Sequence, residues 1–478
     1  MVAVSYFVEA RGRAGKEGIR NLRDTDGGYT PRVVISGPTQ PTLRRAVLLM
    51  TASSALPPIA GLLVQPVLAQ ALGLEGRGQL AAALAPAVLL QSAATLGLPE
   101  ALTFYLAKHP RITRPALVWA SALSTALGAL GLLLAFVLLP FLSAGDAALG
   151  DLILLAIVLT IPALAVGALR GAASGRQMWG TVAQERVVGV LLRTVGFVTL
   201  AAVGQLTVLS AVLVSVLSLV VGGLVYWPLV RRPGFDPDER DPDGSTVGLL
   251  LSFGSRIWLG AVASIVLGRI AHVLMAPLSN VEQLGLYVVA STVADLPLIV
   301  AVAIRDALYG VNSKSTDAAQ LTATVRLTLL VGAAGSLVMG LTLPLWIGLL
   351  FGEAFVAATV PTFMLMASAV ICIPGLIAAS GVSAWGRPGL RSIGLLVTLV
   401  VNLGVFVLLV PTMGVYGACW TSLASNVVMT GFMVVAASRV MQVPARDFLL
   451  VRWADVVVAW RQVSRLLRRL PRGRRATR

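Results

Sequence analysis

Several basic side chains lie in the middle of long apolar segments, where a charge is expensive. Arg186 and Arg193 lie seven residues apart in one segment, and Arg269 and His272 lie three apart in another, so each pair shares a helical face. A charge at the centre of a membrane helix costs about 2.5–3.5 kcal/mol and usually faces a bundle interior or a water-filled cavity. Because guanidinium groups suit phosphate oxygens, these four residues are candidate anion-binding residues, and His272 could alternatively relay a proton.

Two acidic residues accompany these bases and offer a different explanation for them. Asp295 and Glu185 are candidates for charge pairing, or for coupling to an ion or a proton. Counted from a turn near residue 281, Arg269 and Asp295 fall at similar depths on antiparallel helices, so they could neutralise each other. Glu185 is the nearest acid on the segment that holds Arg193. Ligand binding and ion pairing are therefore both open for these arginines.

Composition indicates that membrane helices position these residues. The 478 residues are 57% hydrophobic and 12% charged, with a mean hydropathy of +0.87, whereas soluble domains are about 25% charged. About 20 apolar residues span hydrocarbon, where the backbone must satisfy its hydrogen bonds within a helix. We predict an all-α polytopic membrane protein with twelve transmembrane helices near residues 46–70, 79–106, 115–142, 151–171, 181–203, 207–230, 252–277, 283–311, 322–351, 357–383, 390–411 and 416–438.

The connections between these helices carry opposite charges in alternation. Most Lys and Arg residues outside the helices lie in the first tail, the even-numbered connections and the last tail. The odd-numbered connections hold Glu75, Asp146, Glu282 and Glu353, and a single base, Arg77. This pattern predicts cytoplasmic N and C termini in a bacterial cytoplasmic membrane. The net charge of +16 then reflects topology and attraction to anionic lipids, and nucleic-acid binding is not expected.

A weak internal repeat divides the chain into two halves. Gly175-Arg176 follows the fourth helix and Gly386-Arg387 follows the tenth, an offset of 387 − 176 = 211 residues. Two six-helix lobes with the same orientation are related by a pseudo-two-fold axis along the membrane normal. We predict a disordered basic cytoplasmic arm (1–45), an N-lobe (46–230), a cytoplasmic linker (231–246), a C-lobe (247–440) and a basic amphipathic cytoplasmic tail (441–478).

The sequence offers little material for catalysis. Two histidines and two cysteines make no metal-ligand spacing, and there is no nucleotide-binding loop, so we expect no metal and no cofactor. A membrane glycosyltransferase or ligase would usually need an acidic pair in a substantial outer loop, and Asp146 and Asp151 are the nearest approach. The enzyme class therefore stays only as a remote alternative.

An ordered series of short motifs covers most of residues 46–438 and resembles a known family. The motifs are Leu72-Gly-Leu-Glu-Gly-Arg-Gly78, Leu96-Gly-Leu-Pro-Glu-Ala101, Leu284-Gly-Leu-Tyr-Val-Val-Ala290, Leu350-Phe-Gly-Glu-Ala-Phe355, Ala384-Trp-Gly-Arg-Pro388 and Val410-Pro-Thr-Met-Gly-Val-Tyr-Gly-Ala418. The chain thus resembles the polysaccharide and lipid-linked oligosaccharide flippases of the multidrug/oligosaccharidyl-lipid/polysaccharide exporter superfamily. The resemblance implies lobes that alternate between inward-open and outward-open states, and a cargo of glycan on a polyprenyl diphosphate carrier.

Two departures bear on how transport is coupled. Members of this family often carry Arg-x-Asp late in helix 7, whereas this chain reads Arg269-Ile-Ala-His272, with Ala271 in place of the acid. Drug exporters of the superfamily often carry a carboxylate in helix 1, and this helix has none. A cation-coupled multidrug exporter and a lipid II-type flippase, a branch that commonly has fourteen spans, are the alternatives.

Within this resemblance, we hypothesise that Arg193 and Arg269, one from each lobe, hold the diphosphate–glycan head group. Arg186 and His272 are the further candidates on the same two helices. The C-terminal tail has apolar residues at three- and four-residue spacing among its arginines, which predicts contact with anionic lipids. Docking of this tail to a glycan-assembly enzyme is the alternative.

Overall fold

The structure is a computed structural model that describes residues 40–108, 113–231, 246–299, 301–302, 318–450 and 452. Within these ranges the regular elements are all helical. Most of the predicted arm, of the linker and of the predicted tail lies outside the described residues, so these boundaries stay predictions; residues 40–45 of the predicted arm are helical.

Thirteen helices are labelled here in chain order. They are α1 (Gln40–Ala94), α2 (Leu98–Lys108), α3 (Thr113–Leu142), α4 (Ala147–Gly175), α5 (Trp179–Ala202), α6 (Val208–Gly223), α7 (Thr246–Leu278), α8 (Val281–Ala294), α9 (Ala318–Phe351), α10 (Thr359–Ala384), α11 (Pro388–Met413), α12 (Val415–Met441) and α13 (Arg446–Leu449). In the described part of the chain, eight helical stretches are long and apolar enough to cross a membrane, and two shorter apolar stretches cover 262–278 and 281–294. The expected all-α polytopic architecture is confirmed.

A single glycine separates the first two membrane passes. Gly73 interrupts α1 with φ 68° and ψ −172°, and the helix continues on both sides. The left-handed φ is favourable for glycine and unfavourable for other residues, so the kink falls at this position. The predicted loop between 70 and 79 is therefore wrong. The predicted second span, 79–106, is also interrupted, because Leu96 and Gly97 have positive φ and α2 begins at Leu98.

The helix of the eighth span has a break that the sequence analysis did not predict. A continuous helix over 283–311 was expected, but α8 ends at Ala294 and Asp295 caps it. Pro297 explains the break, because proline has no N–H to donate to the carbonyl of the residue four positions earlier. Residues 296–299 are helical again, and 303–317 lie outside the described ranges. The break places the Asp295 carboxylate at a helix end.

The helices pack as two lobes that share one core. Helix α1 contacts α4 and α5 within the first lobe (α1–α6), and α12 contacts α10 and α11 within the second (α7–α12). One buried apolar cluster is confined to the first lobe, from Leu98 to Leu229, and another to the second, from Ala301 to Phe448. The largest cluster includes buried residues of both lobes.

The lobes touch most closely on the side of the odd-numbered connections, called the acidic side below. A Cβ on Gly78 of α1 would overlap the Val281 carbonyl, and a Cβ on Gly285 of α8 would overlap the carbonyl of Leu74. Backbone therefore meets backbone between α1 and α8. Nearby, the Gln70 amide donates to the Leu350 carbonyl oxygen at 2.8 Å.

A second contact joins the lobes nearer their other ends. The Trp258 indole N–H on α7 donates to the Ala93 carbonyl at 2.9 Å, and α7 also contacts α2 and α3 of the first lobe. The region between these two contacts is where side chains of α1, α5, α7 and α8 from both lobes can meet.

Candidate anion-binding site between the lobes

Arg193 lies on α5 with its guanidinium outside the packed core of the first lobe. The side chain is exposed, and its Cζ lies 5.7 Å from the ring centroid of Phe197, one turn along the same helix. Phe197 is buried, so its ring belongs to the core while the guanidinium of Arg193 beside it is exposed. Arg193 makes no salt bridge with any residue that the structure describes.

Arg269 approaches Arg193 from the other lobe. It lies on α7, is exposed, and interacts electrostatically with Arg193. Since α5 and α7 belong to different lobes, two arginines in electrostatic range must face the space between the lobes. The structure therefore brings together the two residues that the sequence singled out.

Asp295 is a negative charge near Arg269, but the two side chains do not form a salt bridge. The two side chains interact electrostatically. Both are exposed, and within the described residues they form no salt bridge at 4.0 Å or less. The guanidinium donors of Arg269 therefore stay available to a ligand.

Arg77 is a member of this site that sequence reasoning missed. It follows Gly73 by one turn and is buried, and its Nη2 donates to the side-chain oxygen of Gln65. Its Nε is buried without a hydrogen-bond partner among the described residues. Arg77 interacts electrostatically with Arg193. The signal in the sequence was its exceptional place as the one base among the acidic odd-numbered connections.

His272, on α7 of the second lobe, is the last residue of this site. Its imidazole packs edge-on against Tyr287, with the ring centroids 5.6 Å apart. Its Nδ1 is buried and has no partner in the described part of the chain. It interacts electrostatically with both Arg269 and Arg77.

These electrostatic interactions link four side chains, which are called the basic ring. Arg77 and Arg193 come from the first lobe, and Arg269 and His272 come from the second. Each arginine raises the positive potential felt by its neighbour, and in the described residues Asp295 is an acidic side chain that interacts with one of them, Arg269. Such an arrangement is unfavourable when empty and favourable when an anion enters. Its donors suit a group with several charged oxygens.

Glu185 and Arg186 lie in a different cluster. The Glu185 carboxylate is buried and accepts from Arg170 of α4 at 2.7 and 3.1 Å, and Tyr226 donates to it at 3.4 Å. Arg186 interacts electrostatically with Arg170 and Glu185. The structure thus pairs Glu185 with Arg170, which lies at the end of the predicted fourth helix, and it places neither Glu185 nor Arg186 in the basic ring.

The fold and the site together define a class, that of two-lobed membrane transporters with a charged site between the lobes. The lipid II flippase MurJ, in an inward closed conformation, has a similar structure, with a TM-score of 0.68, 11% identity and coverage of 88% of this chain and 93% of that chain. An inward-facing multidrug resistance MATE transporter of the MOP superfamily gives 0.61 at 14% identity, covering 83% and 99%. A MOP-superfamily transporter from Pyrococcus furiosus gives 0.53 at 15% identity, covering 83% and 93%.

The family itself follows from the sequence. Residues 43–315, more than half of the chain, match the family described as "Polysaccharide biosynthesis protein". The chain belongs to this family, and its fold is similar to those of the lipid II flippase MurJ and of the MATE transporter. No curated protein sequence matches it. The predicted resemblance, the two-lobed fold and the transporter class are confirmed, whereas the orientation of the termini stays a prediction.

Proposed function

We propose that this protein flips a polyprenyl-diphosphate-linked oligosaccharide across the bacterial cytoplasmic membrane for cell-surface polysaccharide synthesis. The observation that carries the proposal is the basic ring, in which both lobes present arginine and, within the described ranges, Asp295 is the acid that interacts with it. A diphosphate supplies the negative oxygens that this ring lacks. The lipid tail can stay in the membrane while the head group crosses between the lobes.

The ring also suggests how binding is linked to movement. Arg193 and Arg269 belong to different lobes, so a head group that contacts both is held only while the lobes are close. A cargo that binds one arrangement of the lobes better than another shifts the population toward it by that difference in affinity. The head group would therefore favour an occluded state, from which either side can open.

Flipping by the purified protein in liposomes tests the proposal. Labelled polyprenyl-diphosphate oligosaccharide is reconstituted, and its exposure on each leaflet is followed with a membrane-impermeant reagent. A charge-assisted hydrogen bond is worth about 1.5–3 kcal/mol, so R193A and R269A should each slow flipping by about tenfold or more. R439A removes an exposed arginine on α12 and should flip at the wild-type rate.

The double variant R193A/R269A decides the question. If it inserts normally and flips the diphosphate lipid at the wild-type rate, the proposed role of the ring is wrong. A lipid II-type cargo presents the same diphosphate, so parallel assays with lipid II and with a non-peptidoglycan oligosaccharide lipid separate these two cargoes. A cationic drug is the least compatible cargo, because the ring repels it.

A further inference from the structure

Two members of the basic ring differ from the other two in burial. Arg193 and Arg269 are exposed, whereas Arg77 is 6% exposed and the Nδ1 atom of His272 is buried. Each of these two side chains has a buried nitrogen without a partner among the described residues, Nε of Arg77 and Nδ1 of His272. An unmet buried donor or acceptor costs about 1–3 kcal/mol, so a ligand that satisfies both nitrogens would be stabilised here.

The buried pair lies nearer the acidic side than the exposed pair. Arg77 is four residues from the kink at Gly73, and His272 is six residues from the end of α7 at Leu278, or about 6 and 9 Å along their helices. Arg193 and Arg269 are each nine residues, or about 14 Å, from the ends of α5 and α7 on that side. The ring therefore has a shallow, buried half and a deep, exposed half.

We propose that Arg77 and His272 form a second phosphate subsite, so that the two phosphoryl groups of a diphosphate occupy the two halves of the ring. The proposal rests on the proposed function and adds that each half of the ring binds one phosphoryl group. Arg193 and Arg269 take one phosphoryl group from the open space between the lobes. Arg77 and His272 take the other through their buried nitrogens that have no partner among the described residues.

This subsite lies against the closest contact between the lobes. Arg77 precedes Gly78, whose backbone meets Val281, and His272 packs on Tyr287, two residues from Gly285. Arg77 belongs to the first lobe and His272 to the second. A phosphate that bridges them therefore holds the lobes together on the acidic side, and separation of the lobes on that side dismantles the subsite.

Binding of inorganic pyrophosphate and inorganic phosphate to the full-length protein in detergent tests the subsite. A ligand that binds only the folded state raises the thermal transition in proportion to its affinity, which yields apparent dissociation constants. Two subsites predict that the wild type prefers pyrophosphate over phosphate by about tenfold or more. R77Q and H272F should reduce this preference to less than about threefold, and R77K, which keeps the charge, should retain part of it.

Controls separate the subsite from general charge effects. R439Q should keep the wild-type preference, and R193Q should weaken both anions because it damages the other half of the ring. A wild type without preference overturns the proposal without any variant, and so does an unchanged preference in folded R77Q and H272F. Loss of oligosaccharide flipping with an intact pyrophosphate preference would instead refute the cargo and leave the subsite.

Two further measurements fix the source of the phosphate and the effect on the lobes. Polyprenyl diphosphate in nanodiscs should displace pyrophosphate, and polyprenyl monophosphate should do so much less well; failure of the diphosphate lipid to compete overturns the assignment to the cargo. Pyrophosphate should also slow hydrogen exchange in the first turns of α8, residues 281–289, in the wild type and not in R77Q. Unchanged exchange in the wild type contradicts the bridging of the lobes.

Discussion

At the scale of single residues, the protein treats its intramembrane charges in two opposite ways. Arg170, Glu185 and Tyr226 form a paired cluster within one lobe, in which the acid accepts from both neighbours. In the basic ring, three arginines lie together and, among the described residues, one carboxylate, that of Asp295, interacts with one of them, Arg269. In the first cluster, the carboxylate and its donors are paired, and the pair joins α4 to α5. In the basic ring, the positive charges exceed the negative charge described beside them, so the ring suits an anionic ligand.

The paired cluster predicts a specific pattern of stability. In the R170L variant, Glu185 stays buried and loses both hydrogen bonds from Arg170, which should destabilise the protein by about 3 kcal/mol, the low end for a broken buried pair because Arg170 is 38% exposed. Thermal unfolding in detergent measures this loss. The double variant R170L/E185L should recover most of the stability, because no uncompensated charge is left.

The matched comparison is with R193L. That change removes a charge without a salt-bridge partner in the described residues, so it should leave stability near the wild type while it impairs flipping. A strongly destabilised R193L, or a double variant no better than R170L, would contradict the distinction between the two clusters.

The sequence contained about half of the site. The depth of a residue in the membrane can be estimated by counting residues along its helix. The similar depth of Arg193 and Arg269 could therefore be predicted from helix lengths and turns. The partner of Glu185 could not, because the rotation of α4 against α5 depends on packing that no local pattern encodes. Arg77 was visible only as an exception to the charge pattern, and assigning it to a loop hid its burial.

At the scale of elements, apolar length predicted the membrane spans well and proline and glycine decided where the prediction failed. The spans near 115–142, 390–411 and 416–438 agree closely with α3, α11 and α12. The kink at Gly73 needs no loop, so the expected connection of several residues is absent. The break after Ala294 was marked by Pro297, but hydropathy continues through it and obscured the signal.

The kink in α1 predicts opposite effects of the same substitution at two glycines. Neither Gly73 nor Gly61 would bring an added Cβ within 4 Å of a neighbour, so the backbone alone decides. G73A places alanine at φ 68° and should destabilise the protein by about 1–2 kcal/mol. G61A lies in regular helix and should stabilise it by up to about 1 kcal/mol.

Thermal unfolding of the two variants side by side measures the difference. Equal shifts for G61A and G73A would show that the left-handed conformation at Gly73 does not set the kink. A G73N variant should be destabilised about as much as G73A, because φ 68° with ψ −172° lies outside the left-handed helical region that asparagine tolerates.

At the scale of the whole molecule, the close contact of α1 with α8 predicts a conformational defect. G285A adds a methyl group that overlaps the Leu74 carbonyl oxygen, so it should force the lobes apart on the acidic side and reduce flipping severalfold. In a background with Cys372 and Cys419 replaced by alanine, a Q65C substitution should react faster with an impermeant thiol reagent when G285A is present. G404A adds a methyl group in open space and is the control.

Thiol reactivity and flipping should change together in this series. If G285A leaves both at the level of G404A, the contact between α1 and α8 is not required for closure on the acidic side.

Within the described residues, the basic ring carries three arginines and interacts with one carboxylate, that of Asp295, so it has a net positive charge on which a membrane potential acts. Transfer of one elementary charge through 100 mV is worth about 2.3 kcal/mol. An interior-negative membrane potential should therefore favour states in which the unloaded ring lies toward the inner face. If the cargo is the diphosphate lipid proposed above, its charge cancels that of the ring, so the loaded carrier turns outward with little electrical work and the potential drives the return of the empty carrier.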